Sequence, residues 1–290
     1  MNNLVGLGVA MVTPFTNSKE IDFPALEKLT NHLIDGGLDY LVVMGTTGEA
    51  ATLSFNEKQE ILDFVLKVNN NRLPIIFGIG GNDTIKMVEE YKKYRLDGVT
   101  AILSASPYYS KPSQEGIYQH YKYLSENMNH DIILYNVPGR TSSNMTASTT
   151  IRIANDFKNV IAIKEASGDL GQVMHIINKR PENFLVISGD DALTLPMITC
   201  GADGLISVIA NSHPSTTKNL VAKALKGDLN SSRDSHYQLL ELIDAIFADG
   251  NPGGVKEILK EMGIMENNLR LPLVPVNENA KSEILNLLKR

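Results

Sequence analysis

Three side chains that could act together chemically follow two neighbouring apolar segments of the chain. Lys164 comes directly after the apolar run 160–163, so its stem would lie inside a buried strand. Burial disfavours the ammonium form, and the neutral amine is the form that attacks a carbonyl carbon. Tyr135 lies near the end of the preceding apolar segment, and Arg140 follows that segment. A phenol can transfer protons and a guanidinium can bind a carboxylate, so the three predict a nucleophilic lysine acting on a carboxylate-bearing substrate.

A second candidate element is the turn 45–49, with the sequence Gly-Thr-Thr-Gly-Glu. Its backbone amides and two hydroxyls could hold a carboxylate without a metal ion. Each candidate also has a structural alternative. The lysine could reach solvent or pair with Glu165, the tyrosine could be an amphipathic barrel residue, and the arginine could form a surface ion pair. The turn could be an ordinary tight loop in which Glu49 is a structural hydrogen-bond acceptor.

Other chemistries lack their residues in this sequence. The six histidines show neither H-x-H nor H-E-x-x-H spacing, so a metal-dependent aldolase or hydrolase has no ligand set. No Walker A motif, G-x-G-x-x-G motif or G-x-S-x-G elbow occurs. The single cysteine, Cys200, excludes an intramolecular disulfide and a cysteine-cluster metal site, and we expect it to be a small buried hydrophobe.

Eight short apolar segments alternate with amphipathic helical stretches and must position these residues. Segments that are apolar almost throughout are typical of parallel strands covered by helices on both faces. Eight strand–helix units predict a (β/α)8 barrel, with a doubly wound open sheet as the alternative. We expect residues 1–225 to form the barrel and residues 226–290 a C-terminal helical region. The predicted strands are Leu4–Val12, Tyr40–Met44, Pro74–Ile79, Gly98–Leu103, Asp131–Val137, Val160–Ile163, Phe184–Ile187 and Gly204–Val208.

Composition excludes several classes of partner. The 290 residues carry a formal net charge of −6, which argues against non-specific binding to nucleic acid. No apolar run approaches the roughly 18 residues of a membrane span. The first cation is Lys19, so the N-terminus lacks the basic region of a signal peptide. We therefore expect a cytoplasmic protein that binds neither membranes nor nucleic acid.

Over essentially its whole length the chain resembles the dihydrodipicolinate synthase family of pyruvate-dependent class I aldolases, a superfamily that includes N-acetylneuraminate lyase. The double threonine of the 45–49 turn and the arginine at 140 favour the synthases over the neuraminate lyases. The motifs that carry the resemblance are Gly45–Glu49, Pro107–Tyr109, Pro112–Gly116, Tyr135–Thr141, Ile163–Ala166, Ser188–Asp191 and Ile206–Asn211.

The resemblance implies that Lys164 forms a Schiff base with pyruvate, whose enamine then attacks aspartate 4-semialdehyde, without metal or cofactor. It assigns a proton relay to Thr46, Tyr135 and Tyr109, with Tyr109 delivered from a neighbouring subunit. The implied assembly is therefore a homo-oligomer, a tetramer or a dimer. The implied substrate-binding positions are Thr47 for the pyruvate carboxylate, Arg140 for the semialdehyde carboxylate, and Gly189 and Ile206 for their backbones.

Two functional alternatives remain open. One is another Schiff-base aldolase or lyase of the superfamily that uses a sugar-derived aldehyde. The other is a non-catalytic barrel that binds keto acids.

The sequence departs from the family pattern in two places. Residues 251–256 read Asn-Pro-Gly-Gly-Val-Lys where synthases commonly have Asn-Pro-Ile-Pro-Val-Lys. We expect Gly253 and Gly254 to loosen this turn and alter the docking of the helical region without touching an assigned catalytic group.

The second departure concerns feedback control by lysine. The positions that match the serine, histidine and glutamate of lysine-inhibited members hold Ala50, Phe55 and Lys86, although Asn82 and Tyr108 are retained. A cation at position 86 should repel the ligand ammonium that a glutamate attracts. We expect weak or absent inhibition by lysine.

Overall fold

Eight parallel strands close into a barrel in the computed structural model, which describes residues 4–289. The strands follow one another around the barrel, and β1 pairs with β8 from Gly6↔Gly204 to Val9↔Ser207 to complete it. The predicted (β/α)8 barrel is thereby confirmed, and the open-sheet alternative is wrong. The strands are β1 Gly6–Ala10, β2 Tyr40–Val43, β3 Ile75–Gly78, β4 Val99–Ala105, β5 Asp131–Asn136, β6 Val160–Glu165, β7 Leu185–Ser188 and β8 Gly204–Ser207.

The helices surround the barrel, and polar caps mark several of their starts. Ser54 and Glu57 form the capping box expected from the sequence, with each side chain bonded to the other's backbone N–H. Asp83 caps α3 with its side chain, which accepts a hydrogen bond from the Lys86 N–H. The helices are α1 Phe23–Asp35, α2 Phe55–Asn69, α3 Thr84–Tyr91, α4 Gln114–Asn127, α5 Pro138–Thr141, α6 Ala147–Asp156, α7 Leu170–Lys179, α8 Thr194–Thr199, α9 Pro214–Leu225, α10 Leu229–Phe247, α11 Gly253–Glu261 and α12 Glu278–Leu287.

Two separate apolar cores follow from the alternation of side chains along the strands. The inner core fills the barrel with residues such as Val42, Ile133 and Ile187. The outer core lies between strands and helices and takes the alternate residues, such as Leu41 and Ile132. A polar residue near the end of a strand therefore faces either the barrel interior or the helix layer, according to its position in this alternation.

The C-terminal helices α10, α11 and α12 pack against one another, and α10 also packs along α9. The segment with two glycines differs from the expected loosened turn. Gly253 and Gly254 are buried in the first turn of α11. A Cβ on Gly254 would lie 2.3 Å from the carbonyl oxygen of Ile246 in α10. The glycine therefore permits a close approach of two helices, which tightens the packing.

Two further findings concern single features of the fold. Cys200 caps the C-terminus of α8 and is half-buried, so the expectation of a buried cysteine is wrong. As the C-cap, it lies beyond the last residue of this six-residue helix. Among residues 4–289, no helix is both long enough and apolar enough to cross a membrane.

Candidate active site at the carboxyl ends of the strands

Tyr135 and Lys164 lie side by side at the carboxyl ends of β5 and β6, where the strand register pairs them. Both are buried, with 6% and 5% of their surfaces exposed. Tyr135 belongs to the inner core, and Lys164, two residues after inward-facing Ala162, takes the same face. The Nζ atom of Lys164 lies 4.4 Å from the centroid of the Tyr135 ring. The structure thus holds an amine against a phenol in a largely apolar setting, which suits nucleophilic attack with proton exchange.

Gly189 leaves the space that the lysine stem occupies. It follows β7, and a Cβ built on it would lie 3.0 Å from Cε of Lys164 and 2.8 Å from Cβ of Ala166. A larger residue would displace the lysine, because packed interiors have little room to adjust. The structure therefore gives Gly189 a steric reason to be glycine.

The neighbours of Tyr135 and Lys164 face outward and form a buried polar network. Asn136 Nδ2 donates to both oxygens of the Glu165 carboxylate, at 3.2 and 3.0 Å. The Ser167 N–H and Gln172 Nε2 donate to the same carboxylate at 2.7 and 3.1 Å. Burial raises the pKa of Glu165, and these donors oppose that rise. The network joins β5 to β6 directly behind the site.

This geometry removes one of the structural alternatives for Lys164. Lys164 and Glu165 are consecutive residues of a strand, so their side chains point to opposite faces of the barrel wall. Glu165 binds the amides around it. The supporting roles of Asn136 and Glu165 were not predicted from the sequence, although the alternation of side chains along a strand would have placed both on the outer face.

The 45–49 turn begins as a short 3-10 helix over Thr46–Gly48 after β2. Thr46 is exposed and Thr47 is buried. Glu49 ends the turn with φ 55° and ψ 32°, a left-handed conformation that is uncommon outside glycine. The Glu49 N–H donates to the Thr46 carbonyl at 3.1 Å, and the Thr13 hydroxyl donates to the Gly48 carbonyl at 2.7 Å.

Residues from the C-terminal region hold this turn from outside the barrel. Lys256 Nζ donates to Glu49 Oε1 at 2.5 Å, and the Arg270 N–H donates to Glu49 Oε2 at 3.1 Å. Asn251 Nδ2 donates to the Thr47 hydroxyl at 3.0 Å. The segment 251–256 thus reaches Thr47, one of the expected substrate-binding residues, through Asn251, which the family pattern shares. Glu49 acts as a structural acceptor, as its alternative reading predicted, but the sequence did not reveal its partners.

Two adjoining cavities open above these residues. The smaller, 430 Å³, is lined by Lys164, Thr47 and Gly189, and the larger measures 560 Å³. The residues common to both walls are Thr46, Tyr135, Val137, Arg140 and Asn251. The structure therefore brings six of the eight predicted site residues to one concave surface, with Arg140, which is exposed like Thr46, at its edge.

Tyr109 and Ile206 are the two that do not line either cavity in the described chain. Tyr109 is 87% exposed on a loop after β4, with φ 70°. Ile206 is buried in the inner core beside Tyr135 and Ile187, and Val208 lines the smaller cavity in its place.

Asp191 fixes the wall that Val208 forms. It is buried, and its carboxylate accepts hydrogen bonds from the Ser207 hydroxyl at 2.5 Å and from the Val208 and Ile209 N–H groups at 2.9 and 3.2 Å. Burial raises the pKa of Asp191, and these donors oppose that rise. Within residues 4–289, the site included, no group of three or more histidine, cysteine, aspartate or glutamate side chains is arranged to hold a metal ion.

Comparisons with known proteins agree with this geometry over the length of the chain. The sequence profile of the dihydrodipicolinate synthetase family matches residues 3–290. A 4-hydroxy-tetrahydrodipicolinate synthase from Flavobacterium psychrophilum is 51% identical over 284 residues, which cover 98% of this chain and 97% of the relative. The chain belongs to the dihydrodipicolinate synthetase family.

Solved structures of family members share the same fold. The dihydrodipicolinate synthase from Thermotoga maritima superposes with a TM-score of 0.96 at 41% identity, covering 98% of this chain and 97% of that one. A chloride-inhibited member from Acinetobacter baumannii, solved with pyruvate, has a TM-score of 0.95 at 38% identity, covering 99% and 98%. Membership confirms both the family and the enzyme class expected from the sequence, a lyase of the class I aldolase type.

Proposed function

We propose that the chain condenses pyruvate with aspartate 4-semialdehyde through a Schiff base on Lys164, as a 4-hydroxy-tetrahydrodipicolinate synthase of the diaminopimelate route to lysine. The observation that carries the proposal is the buried Lys164 amine, 4.4 Å from the Tyr135 ring centroid, in the wall of a 430 Å³ cavity. A cavity of this size accommodates two small metabolites.

The reaction would start with attack of the neutral Lys164 amine on the pyruvate carbonyl carbon. Loss of water from the adduct gives an iminium ion, which withdraws electrons so that the methyl group can lose a proton and form an enamine. The enamine carbon then forms a bond to the aldehyde carbon of the semialdehyde. The semialdehyde amine next displaces Lys164, which closes the ring and releases the free lysine.

Protons must move at each of these steps, and Tyr135 is the nearest candidate carrier. The proposed relay runs from Tyr135 to Thr46, which is exposed to the cavity, and then to Tyr109 of a neighbouring subunit. The 87% exposure of Tyr109 supports this assignment, since the residue is free to enter another subunit's site. The same assignment requires at least a dimer, and the proposed assembly is a homo-oligomer, either a tetramer or a dimer.

The proposed binding roles follow from charge and position. Thr47 would donate its hydroxyl to the pyruvate carboxylate, and Arg140 at the cavity edge would bind the semialdehyde carboxylate. Gly189 would line the pocket with its backbone while leaving room for the lysine. Ile206, which is buried in the inner core, would contribute through its backbone.

We also infer where the enzyme works and how the chain divides. A cytoplasmic location fits its single cysteine, which permits no intramolecular disulfide. Residues 1–225 would form the catalytic barrel and residues 226–290 a helical region. That α9 ends at Leu225 supports this boundary.

Borohydride reduction in the presence of pyruvate tests the proposal. Reduction should give a covalent adduct on the peptide that contains Lys164, detected by mass spectrometry, and no adduct without pyruvate. An adduct on another lysine, or none, would contradict the proposal. Turnover of aspartate 4-semialdehyde compared with N-acetylmannosamine then distinguishes the synthase from a sugar-using aldolase, and trapping of pyruvate without any turnover would indicate a non-catalytic keto-acid-binding barrel.

A further inference from the structure

We propose that Lys256 and Glu49 are positioning residues for pyruvate binding: the ion pair fixes the 46–49 turn, so that the Thr47 hydroxyl points at the substrate carboxylate. The inference rests on the proposed function, because it assigns a purpose to the turn that would bind pyruvate. It concerns two side chains that are 0% exposed and lie 207 positions apart in the sequence.

The ion pair is completely buried and nearly saturated with hydrogen bonds. Both side chains are 0% exposed, and Nζ lies 2.5 Å from Glu49 Oε1. Lys256 Nζ also donates to the Asn268 carbonyl at 2.8 Å and lies 4.6 Å from the centroid of the Phe15 ring. A buried ion pair of this kind fixes the relative positions of the two segments that it joins. Apolar residues of the same size could supply stability alone.

The carboxylate controls the turn because Glu49 is the residue whose backbone closes it. A left-handed conformation at a non-glycine residue persists only where its surroundings hold it in place. Here the two carboxylate oxygens accept from Lys256 and from the Arg270 N–H, which anchors the side chain in both directions. The Glu49 N–H in turn donates to the Thr46 carbonyl, so the anchor sets the orientation of the two threonines.

The chain around the start of α11, the helix that contains Lys256, contacts the turn at a second point. Asn251, just before α11, donates to the Thr47 hydroxyl oxygen. That bond uses a lone pair of Thr47 and leaves its hydroxyl hydrogen available to a carboxylate. Lys256 therefore secures the base of the turn, while Asn251 orients the hydroxyl at its top.

Three variants and one control test the inference. Lys256→Met removes the cation, Glu49→Gln keeps the shape of the acceptor without its charge, and the double variant removes both charges. Lys281→Met is the control, because Lys281 forms an ion pair in the same helical region with Glu257 at 3.1 Å. The measurements are the KM for pyruvate, kcat, the melting temperature, and the pyruvate concentration that gives half-maximal borohydride trapping.

We expect Lys256→Met to raise the pyruvate KM and the half-trapping concentration about 10-fold or more, with a smaller rise for Glu49→Gln. The double variant should regain most of the lost melting temperature but keep the raised pyruvate KM. The control should leave the pyruvate KM and the half-trapping concentration unchanged. A double variant, or a folded Glu49→Gln, with the pyruvate KM of the parent would show that the pair is only structural. Failure of the parent protein to trap pyruvate would instead contradict the proposed function.

Discussion

The two sides of the cavity are held in different ways. On one side, Tyr135 and Lys164 are paired residues of adjacent strands, and the buried Asn136–Glu165 network joins the same two strands one position further on. On the other side, the 45–49 turn leaves the sheet after β2, and its support comes from residues 251–270. The groups that would make and break bonds thus lie on the sheet, and the group that would hold the substrate lies on a loop fixed by distant helices.

The difference shows how one barrel can combine precision with adjustability. Sheet register fixes the distance between the amine and the phenol, because neighbouring strands cannot shift without moving every inward side chain. A turn has no such constraint, and its conformation depends on the contacts that it receives. Changes in the C-terminal region should therefore alter substrate binding, whereas changes on β5 and β6 should alter the chemical step.

The largest effect should come from the strand side. Lys164→Ala should lower kcat by at least about 10⁴-fold and abolish borohydride trapping, because the proposed covalent intermediate forms on the Lys164 amine. Lys179→Ala, at an exposed position in α7, is the matched control and should behave like the parent. Trapping that persists on another lysine in the Lys164 variant would remove the distinction between the two sides.

A stability measurement on the loop side should give the next largest effect. Lys256→Met leaves the Glu49 carboxylate buried without its cation, and we expect it to cost about 3–5 kcal/mol of unfolding free energy. The double variant with Glu49→Gln should recover most of this loss, since neither charge is then stranded. Urea titration of the four proteins measures the cycle, and additive losses in the double variant would be the contrary result.

The two sides should also respond to different ranges of pH. Burial lowers the pKa of Lys256 from 10.5 to about 8, against the opposing charge of Glu49. The positive charges of Lys19 and Arg270, which also face Lys256, contribute to this lowering of its pKa. Between these values the unfolded chain binds the additional proton, so this group makes stability rise with pH. The stability of the parent relative to the double variant should therefore rise as the pH rises from 8 to 10.5.

The contribution of Glu165 to stability should change with pH in the opposite direction, and in the acidic range. Its pKa is raised by burial, so the folded chain binds the additional proton above the ordinary value of 4.5. The stability of the parent relative to Glu165→Gln should therefore fall as the pH rises from 4.5 through that raised pKa. Denaturant titrations at a series of pH values measure both trends, and a flat difference would show that the network does not titrate in this range.

The smallest effect concerns the outer end of the larger cavity, where Ala50 follows the turn. Lysine should inhibit weakly or not at all, because Ala50 and Phe55 offer no polar side chains and Lys86 is a cation whose side chain is 81% exposed. A coupled assay with added lysine measures this, and a lysine-sensitive family member is the control. Inhibition at sub-millimolar lysine would show that the turn side carries a regulatory site after all.

The sequence alone determined the barrel and most of the site. Eight apolar segments separated by capped helices indicate parallel strands, and polar residues after those segments must meet at one end of the barrel. Lys164, Tyr135, Thr46 and Arg140 could be placed in this way because each lies within a few residues of a strand end. The same alternation rule could also have placed Glu165 on the outer face, away from Lys164.

Only the tertiary structure decided what holds the turn. No local pattern links Glu49 to Lys256, and a lysine in an amphipathic helix ordinarily reaches solvent. The burial of Lys256 depends on how α11 docks against α10. Gly254 permits this docking because it lies against the backbone of α10, and the sequence does not show that contact. Periodicity encodes the elements because it is a local property of the chain, whereas contacts across 207 positions exist only once the helices have packed.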